Sequence, residues 1–454
     1  MKTKLIISSL VFVLFEINQI SAQTPITLTT PRGSTFTAYQ RPEIWSYQDK
    51  LDWTAYYAAS YPAATEQNAP STTSTYNCHS YAWNISEGGP TCWIGYYSQT
   101  EEDIYWTDQS YIETTEAYAS KISYYADDHS ARQTSTQGTY ISKWGDKVLM
   151  LHARDYGPSI YQMSYRRYFK LNPGITGSTA LLCSGTERTF TSNTSIPTSN
   201  YNWVKENSTL TYVSGAGTTS YRVRGSGSGN SWIYLQITTP SGEVATTPTL
   251  SFWVGTPQIT NQKVDGNNYY TGYQICPGNH WLSVTPIGGN PGNATWTVPS
   301  GIPYFVGNNT LDFTLPSNVN SLQISVRAAN SCGTGSSYSF YLSKKTYGCS
   351  KSLVMNVYPN PASDNVTVTI NEDPSLITAN DPELTNVEIN NANTAEPVTY
   401  TISIYNSQSA LLSSVTRSGK SFNVPLTNMR DGTYIIEAND GKNSYRKQLI
   451  VKHN

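Results

Sequence analysis

The pattern of apolar and polar positions changes character several times along the chain. Met1–Phe15 has a short basic start and then an apolar run, followed by polar residues and Ile20-Ser21-Ala22-Gln23. That order predicts a signal peptide over residues 1–22, cleaved after Ala22. The apolar run is shorter than the about 20 residues that span a bilayer, and no later segment is long and apolar enough to do so. Between residues 23 and 172 the pattern is mixed. Ile44–Tyr61 holds no Gly or Pro, and Ile112–Tyr125 carries apolar residues at roughly helical spacing, so both predict helices. Thr139–Lys143 and Lys147–His152 read as strands. The expectation for 23–172 is one α+β domain.

The texture changes at Asn172-Pro173-Gly174, where short alternating runs and turns take over. Tyr201–Val204 predicts a strand with an inward Trp203, Ser231–Thr238 alternates, and Thr249–Val254 closes the run. The plan then repeats. Cys276-Pro277-Gly278 parallels Cys183-Ser184-Gly185, Ala294–Val298 parallels Tyr201–Val204, and Leu322–Ala328 parallels Ser231–Thr238. Two diverged β-sandwiches, at 173–255 and 256–349, account for this spacing. They resemble the immunoglobulin-like or PKD-like modules of secreted bacterial proteins.

Composition narrows the function class. Of 454 residues only 13% are charged, with a formal net charge of -2. A nucleic-acid partner needs a basic patch to neutralise phosphates, so none is expected. The 35 Tyr suit half-buried strand faces and also offer flat surfaces for stacking on ligands. Export permits disulfides among the six cysteines. Cys276 and Cys332 begin and nearly end one module and are expected to pair, leaving Cys183 and Cys349 unpaired or bridged across a linker.

The last stretch, 350–454, carries Tyr358-Pro359-Asn360-Pro361-Ala362, a strand over Asn365–Ile370, Ile404-Tyr405-Asn406, Met429-Arg430-Asp431-Gly432-Thr433-Tyr434 and Lys447–Lys452. Further strands are expected at Tyr400–Tyr405, Leu411–Val415, Ser421–Val424, Gly432–Asn439 and Ser444–Val451. Pro-Asn-Pro is a turn that a central strand excludes. Asp431-Gly432 is expected to supply a positive-φ hairpin turn. A polar, acidic insertion over about 371–397 lacks periodicity and reads as a flexible loop. Together these runs resemble the type A C-terminal sorting domain of the type IX secretion system of Bacteroidetes. The resemblance implies a small antiparallel β-sandwich and the secretion machinery as partner. It also implies a mature protein that is secreted or attached to the outer-membrane surface once both ends are removed, with no span in the membrane.

One region holds candidate chemistry. Tyr76-Asn77-Cys78-His79 places a thiol just before an expected helix, where the helix dipole and free N–H groups favour a thiolate. Asp127-Asp128-His129-Ser130 follows at an expected strand start, then Ser142 and His152. This order resembles papain-like cysteine amidases and peptidases of the NlpC/P60 and CHAP type. That likeness implies Cys78 as nucleophile, His129 as base, and Ser142 or His152 as the orienting third group. Asn77 stands where the family has Asp, and His129-Ser130-Ala131 replaces its usual histidine signature. A Cys78–Cys92 disulfide across the Gly88–Pro90 turn is the opposing expectation, and it would consume the nucleophile. Lys143 and Asp146 read as a surface pair. No HExxH or CxxC occurs, so neither metal nor other cofactor is expected.

The expected fold is therefore multidomain. An α+β papain-like domain precedes two Ig-like or PKD-like β-sandwiches and an antiparallel sandwich for sorting. The function that follows is a secreted or surface-displayed cysteine hydrolase acting on peptide or peptidoglycan amides. The alternative is a non-catalytic adhesion or carbohydrate-binding protein that takes a polysaccharide on its exposed aromatics.

Overall fold

Ser46 and Asp49 decide where the first long helix begins. The Ser46 hydroxyl accepts the Asp49 N–H at 3.2 Å, and the Asp49 carboxylate accepts the Ser46 N–H at 3.0 Å. This reciprocal box fixes α1, Tyr47–Ser60. The helix stops at Tyr61, whose conformation is restricted by Pro62. The computed structural model describes residues 23–95, 101–124, 129–346, 349, 353–372, 398–406, 408, 410–441 and 444–453. The expected signal peptide, Asp127-Asp128 and residues 373–397 of the acidic insertion lie outside the described residues.

The described chain divides into two compact units. The first runs to Thr179 and adds Glu187–Arg224 and Ser231–Ser251. It opens with the hairpin of β1, Thr24–Thr29, and β2, Thr35–Gln40. Then come α1, β3 (Thr65–Glu66), α2 (Cys78–Trp83), β4 (Tyr111–Thr114), β5 (Lys121–Tyr124), β6 (His129–Gln133), β7 (Thr139–Lys143), β8 (Leu149–Ala153) and β9 (Arg167–Leu171). The last seven strands form one antiparallel sheet in the order β3-β8-β7-β6-β5-β9-β4. The expected helix over Ile112–Tyr125 is instead β4, a 3-10 turn at Glu116–Tyr118, and β5. Pairing of β4 with β9, and of β5 with both β6 and β9, uses the backbone groups that a helix would have bonded internally.

The two faces of this sheet are covered differently. Ile122, Tyr124, Ala131, Tyr140 and Met163 cluster on one face. Trp144, Val148 and Met150 pack there against Tyr57 of α1 and Tyr61 just after it. On the other face Trp83 of α2 sits against Phe169 and Tyr111, with Tyr105 stacked on it at 5.5 Å. Side chains of this size each contribute about 1.5–3 kcal/mol on full burial. Past β9, the sandwich strands Glu187–Ser192 and Ser220–Gly225 pair, with Phe190 opposite Tyr221. Trp203 is an inward residue of Asn200–Lys205 and stacks on Tyr221 at 5.4 Å.

The second unit holds Ala180–Thr186, Gly225–Asn230 and Phe252–Asn454. Its five-stranded sheet contains Gln258–Val264, Gly278–Ile287, Thr310–Leu315 and Tyr304–Val306, and its four-stranded sheet contains Tyr338–Lys344, Ser321–Arg327 and Thr295–Thr297. Leu282, Leu311, Phe313, Ile324, Val326 and Phe340 fill the core, with Trp296 packed against it. The C-terminal sandwich joins the strands Leu353–Tyr358, Asn365–Glu372 and Ser421–Pro425 in one sheet. The other holds Leu411–Ser418, Thr399–Tyr405, Gly432–Asn439 and Ser444–Val451. Gly432 is not at a positive-φ turn, because it already pairs with Val451. The flanking strands Ser421–Pro425 and Gly432–Asn439 lie in different sheets, so no hairpin turns there; the next hairpin, Gly432–Asn439 with Ser444–Val451, holds Gly441 at φ 85°.

The disulfides also differ from expectation. Cys183 pairs with Cys332, and Cys276 with Cys349. Gln274 and Ile275 pair in parallel with Ser343 and Lys344, which carries Cys276 to the chain just past Lys344. Cys332 lies in the turn between Ala329–Asn330 and Gly333–Thr334, while Leu182 bridges to Val254 and Asn330 bonds the Gly255 carbonyl. That brings the Cα atoms of Cys183 and Cys332 to 5.1 Å.

Candidate functional site

Asn77 caps α2, so Cys78 occupies the first helical position. The Asn77 carboxamide accepts the Ser80 N–H at 3.0 Å, and its amide donates to the Ile94 carbonyl at 2.6 Å. Cys78 and Cys92 are both buried thiols and are not bridged to each other. Cys92 lies 3.3 Å from the Ser80 hydroxyl, and burial pushes its thiol up. The next helical residue shows which way α2 faces. His79 Nδ1 lies 2.9 Å from the Ser130 hydroxyl and 3.3 Å from Glu102, and the Trp83 indole donates to the same hydroxyl at 3.1 Å.

Ser130 and His129 are neighbours on β6, so their side chains point to opposite faces. Ser130 looks at α2. His129 is on the other face, held between Tyr161 at 3.8 Å and Tyr124 at 5.6 Å. Both its ring nitrogens are buried with no hydrogen-bond partner among the described residues. Burial, with His152 and His79 adding, holds it neutral, its pKa well below the usual histidine range. Cys78 and His129 thus do not form a hydrogen-bonded pair.

The structure does bring Ser142 and His152 together. Their Oγ and Nε2 lie 2.8 Å apart, and the Trp144 indole donates to the same Oγ at 3.0 Å. His152 Nδ1 sits 2.8 Å from the Ala153 carbonyl, so Nδ1 carries the proton and Nε2 accepts from Ser142. Every polar atom in this trio is therefore used. Cys78 is 6% exposed, His152 2%, and His129 and Ser142 0%. Replacing Ser142 by alanine leaves the Trp144 N–H and His152 Nε2 unpaired, and is expected to lower thermal stability by about 1–3 kcal/mol, read by calorimetry.

Two lysines carry more than the sequence reading assigned them. Lys143 is not a surface residue. It is wholly buried, donates to the Lys147 carbonyl and lies 5.0 Å over the Tyr76 ring. Burial pushes it down to about 7. Its place on β7, two residues from buried Ile141, is the signal that could have revealed this. Lys121 pairs with buried Glu87 and donates to the Ser86 hydroxyl at 2.9 Å, while Ser241 donates to Glu87 at 2.8 Å. Among the described residues no cluster of three His, Cys, Asp or Glu could hold a metal.

Family models match two parts of the chain. Residues 260–341 match the PKD-like domain, and residues 356–452 match the secretion system C-terminal sorting domain. The chain ends in a sorting domain. The exported, cell-surface or secreted state and the interaction with the type IX secretion machinery follow from it. No described helix is long and apolar enough to cross a membrane. No curated protein matches the chain. Among solved structures, latent dimeric PorU from Porphyromonas gingivalis is similar at 10% identity and a TM-score of 0.21 over 67% of this chain and 35% of that one. The chain thus spans about a third of PorU's length. Chicken CNTN1 domains FN1–FN3 are 14% identical at a TM-score of 0.25, over 62% of this chain and 98% of that one. The mouse nectin-like molecule 4 ectodomain is 12% identical at 0.25, over 53% and 95%.

Proposed function

We propose that the exported protein is a non-catalytic recognition protein of the cell surface, with a polysaccharide as its ligand. One observation carries this reading: Cys78, His129, Ser142 and His152 are all at most 6% exposed. A hydrolase must bring its nucleophile against a substrate carbonyl. One aromatic surface that reaches solvent is on α1, none of whose residues is buried. Tyr47 is 69% and Tyr56 55% exposed, and half-buried Trp53 meets Tyr56 edge-to-face at 5.7 Å. Lys147 braces the ridge from below, 3.6 Å from the Trp45 ring and 4.6 Å from Trp53. Rigid rings with a wet edge suit the apolar faces of sugars. Trp53→Ala with Tyr56→Ala is expected to weaken binding to surface polysaccharide at least 10-fold by calorimetric titration. Wild-type affinity in that variant overturns the reading.

The second reading is a papain-like cysteine hydrolase of peptide or peptidoglycan amides. What favours it is the thiol state of Cys78 at a capped helix start, beside a strand that begins with a buried imidazole lacking hydrogen bonds. It requires β6 to shift so that His129 comes to face the thiol when substrate binds. Under it, native protein cleaves peptidoglycan peptides, Cys78→Ala abolishes the cleavage, and iodoacetamide labels Cys78 before Cys92. Under the recognition reading Cys78→Ala leaves polysaccharide binding unchanged and no cleavage is seen.

A further inference from the structure

The outer face of the PKD-like five-stranded sheet carries a row of side chains that its core does not use. Trp281, Asp312 and Phe305 stand side by side across three strands. Leu311 and Phe313 point into the core, so Asp312 points outward. Yet both Asp312 carboxylate oxygens are sealed from solvent with no hydrogen-bond partner, and the Trp281 indole N–H is in the same state. Burying a carboxylate this way is costly. Burial pushes Asp312 up to about 6, opposed by Arg446 and assisted by Glu437 and Asp265.

What covers the row is the strand Ser444–Val451 of the sorting domain. The Arg446 guanidinium lies 4.2 Å over the Trp281 ring and 5.6 Å from that of Tyr405. It gives its hydrogen bonds to Glu437, at 2.7 and 2.9 Å, and none to Asp312. Around it a cleft is lined by Asn279, His280, Tyr304 and Lys447.

We propose that Trp281 and Asp312 form a binding site for a guanidinium group, and that Arg446 of the sorting domain occupies it in cis. A flat cation stacks on an indole, and its fork of N–H donors matches a carboxylate. Arg446 satisfies the first half of that description and spends its fork on Glu437. An arginine side chain arriving from outside stacks on the same ring and supplies the donors that Asp312 lacks. The site opens when Arg446 leaves it. It lies on another module from α1 and stands apart from the recognition reading above.

The test uses the full chain and Nα-acetyl-L-arginine amide as probe, by calorimetric titration. Arg446→Gln keeps a hydrogen bond to Glu437 and removes the cation. It is expected to bind the probe at least 10-fold more tightly than wild type, and adding Asp312→Asn or Trp281→Ala to it is expected to abolish the gain. Nα-acetyl-L-glutamine amide is expected to bind neither form. Equal affinity in wild type and Arg446→Gln overturns the proposal, as does a gain that survives Asp312→Asn. If Arg446→Gln does not fold, Arg446→Ala vacates the stacked position. A gain with the same dependence on Asp312 supports the site, and no gain overturns it.

Discussion

Replacing Lys121 by alanine is expected to lower the stability of the first unit by about 3–5 kcal/mol. Lys121 and Glu87 are both buried, with side-chain exposures of 0% and 6%. Their attraction offsets the cost of taking two charges out of water, and the Ser86 and Ser241 hydroxyls add hydrogen bonds. Removing the ammonium leaves Glu87 charged and buried, with the hydroxyls of Ser241 and Thr239 in place of a countercharge. The paired change Lys121→Met with Glu87→Leu is expected to recover most of the loss, because neither charge then needs compensation. Urea unfolding of the full chain, followed by tryptophan fluorescence, measures both. A Lys121→Ala loss below 1 kcal/mol shows that the pair is replaced by water. The same pair sets a pH dependence. Desolvation raises the Glu87 pKa, but Lys121 and the serine hydroxyl outweigh it, so the folded value is depressed. The stability this gives is present above the unfolded value of about 4.3 and is lost as pH falls through the folded one.

Opening the Cys183–Cys332 bridge by a paired change to serine is expected to cost the second unit about 3–5 kcal/mol. Its cysteines are 149 residues apart, and those of the Cys276–Cys349 bridge are 73 apart. A bridge restricts the unfolded chain in proportion to the logarithm of the loop it closes, so the wider one contributes more. The loops overlap, since Cys276 lies inside the larger ring and Cys349 outside it. With the narrower bridge intact the unfolded chain is already partly restricted, which sets the lower end of the range. Peptide mapping without reductant is expected to yield the 183–332 and 276–349 pairs and to leave Cys78 and Cys92 as thiols. A 276–332 peptide would contradict the strand pairing of Ile275 with Lys344.

Much of this molecule follows from local pattern. Period-two runs such as Ser231–Thr238 and Leu322–Ala328 became strands, because alternation states both the element and its buried face. The stretch Ile44–Tyr61, free of breakers, became α1 with its cap and its terminating Pro62. Tyr358-Pro359-Asn360-Pro361 and the strands after it marked the sorting domain. Other features depended on which strands lie side by side. The Ile112–Tyr125 run had helical spacing, yet β4 and β5 took it, since pairing with β9 and β6 was decided by residues up to 60 positions away. Cysteine partners depended on where Ile275 and Leu182 pair. The His129 side faces away from α2 because β6 enters the sheet with Ser130 towards the helix, and a shift of one residue would reverse it. The burial of Lys121 and Lys143, and the meeting of Asp312 with Arg446 across 134 positions, likewise belong to the tertiary structure. Sequence alone determined the alternating strands, the PKD-like module and the export address, since these are read over a few neighbouring residues. Only the fold decided which side chains meet and which reach solvent, since that depends on register and packing between segments far apart in the chain.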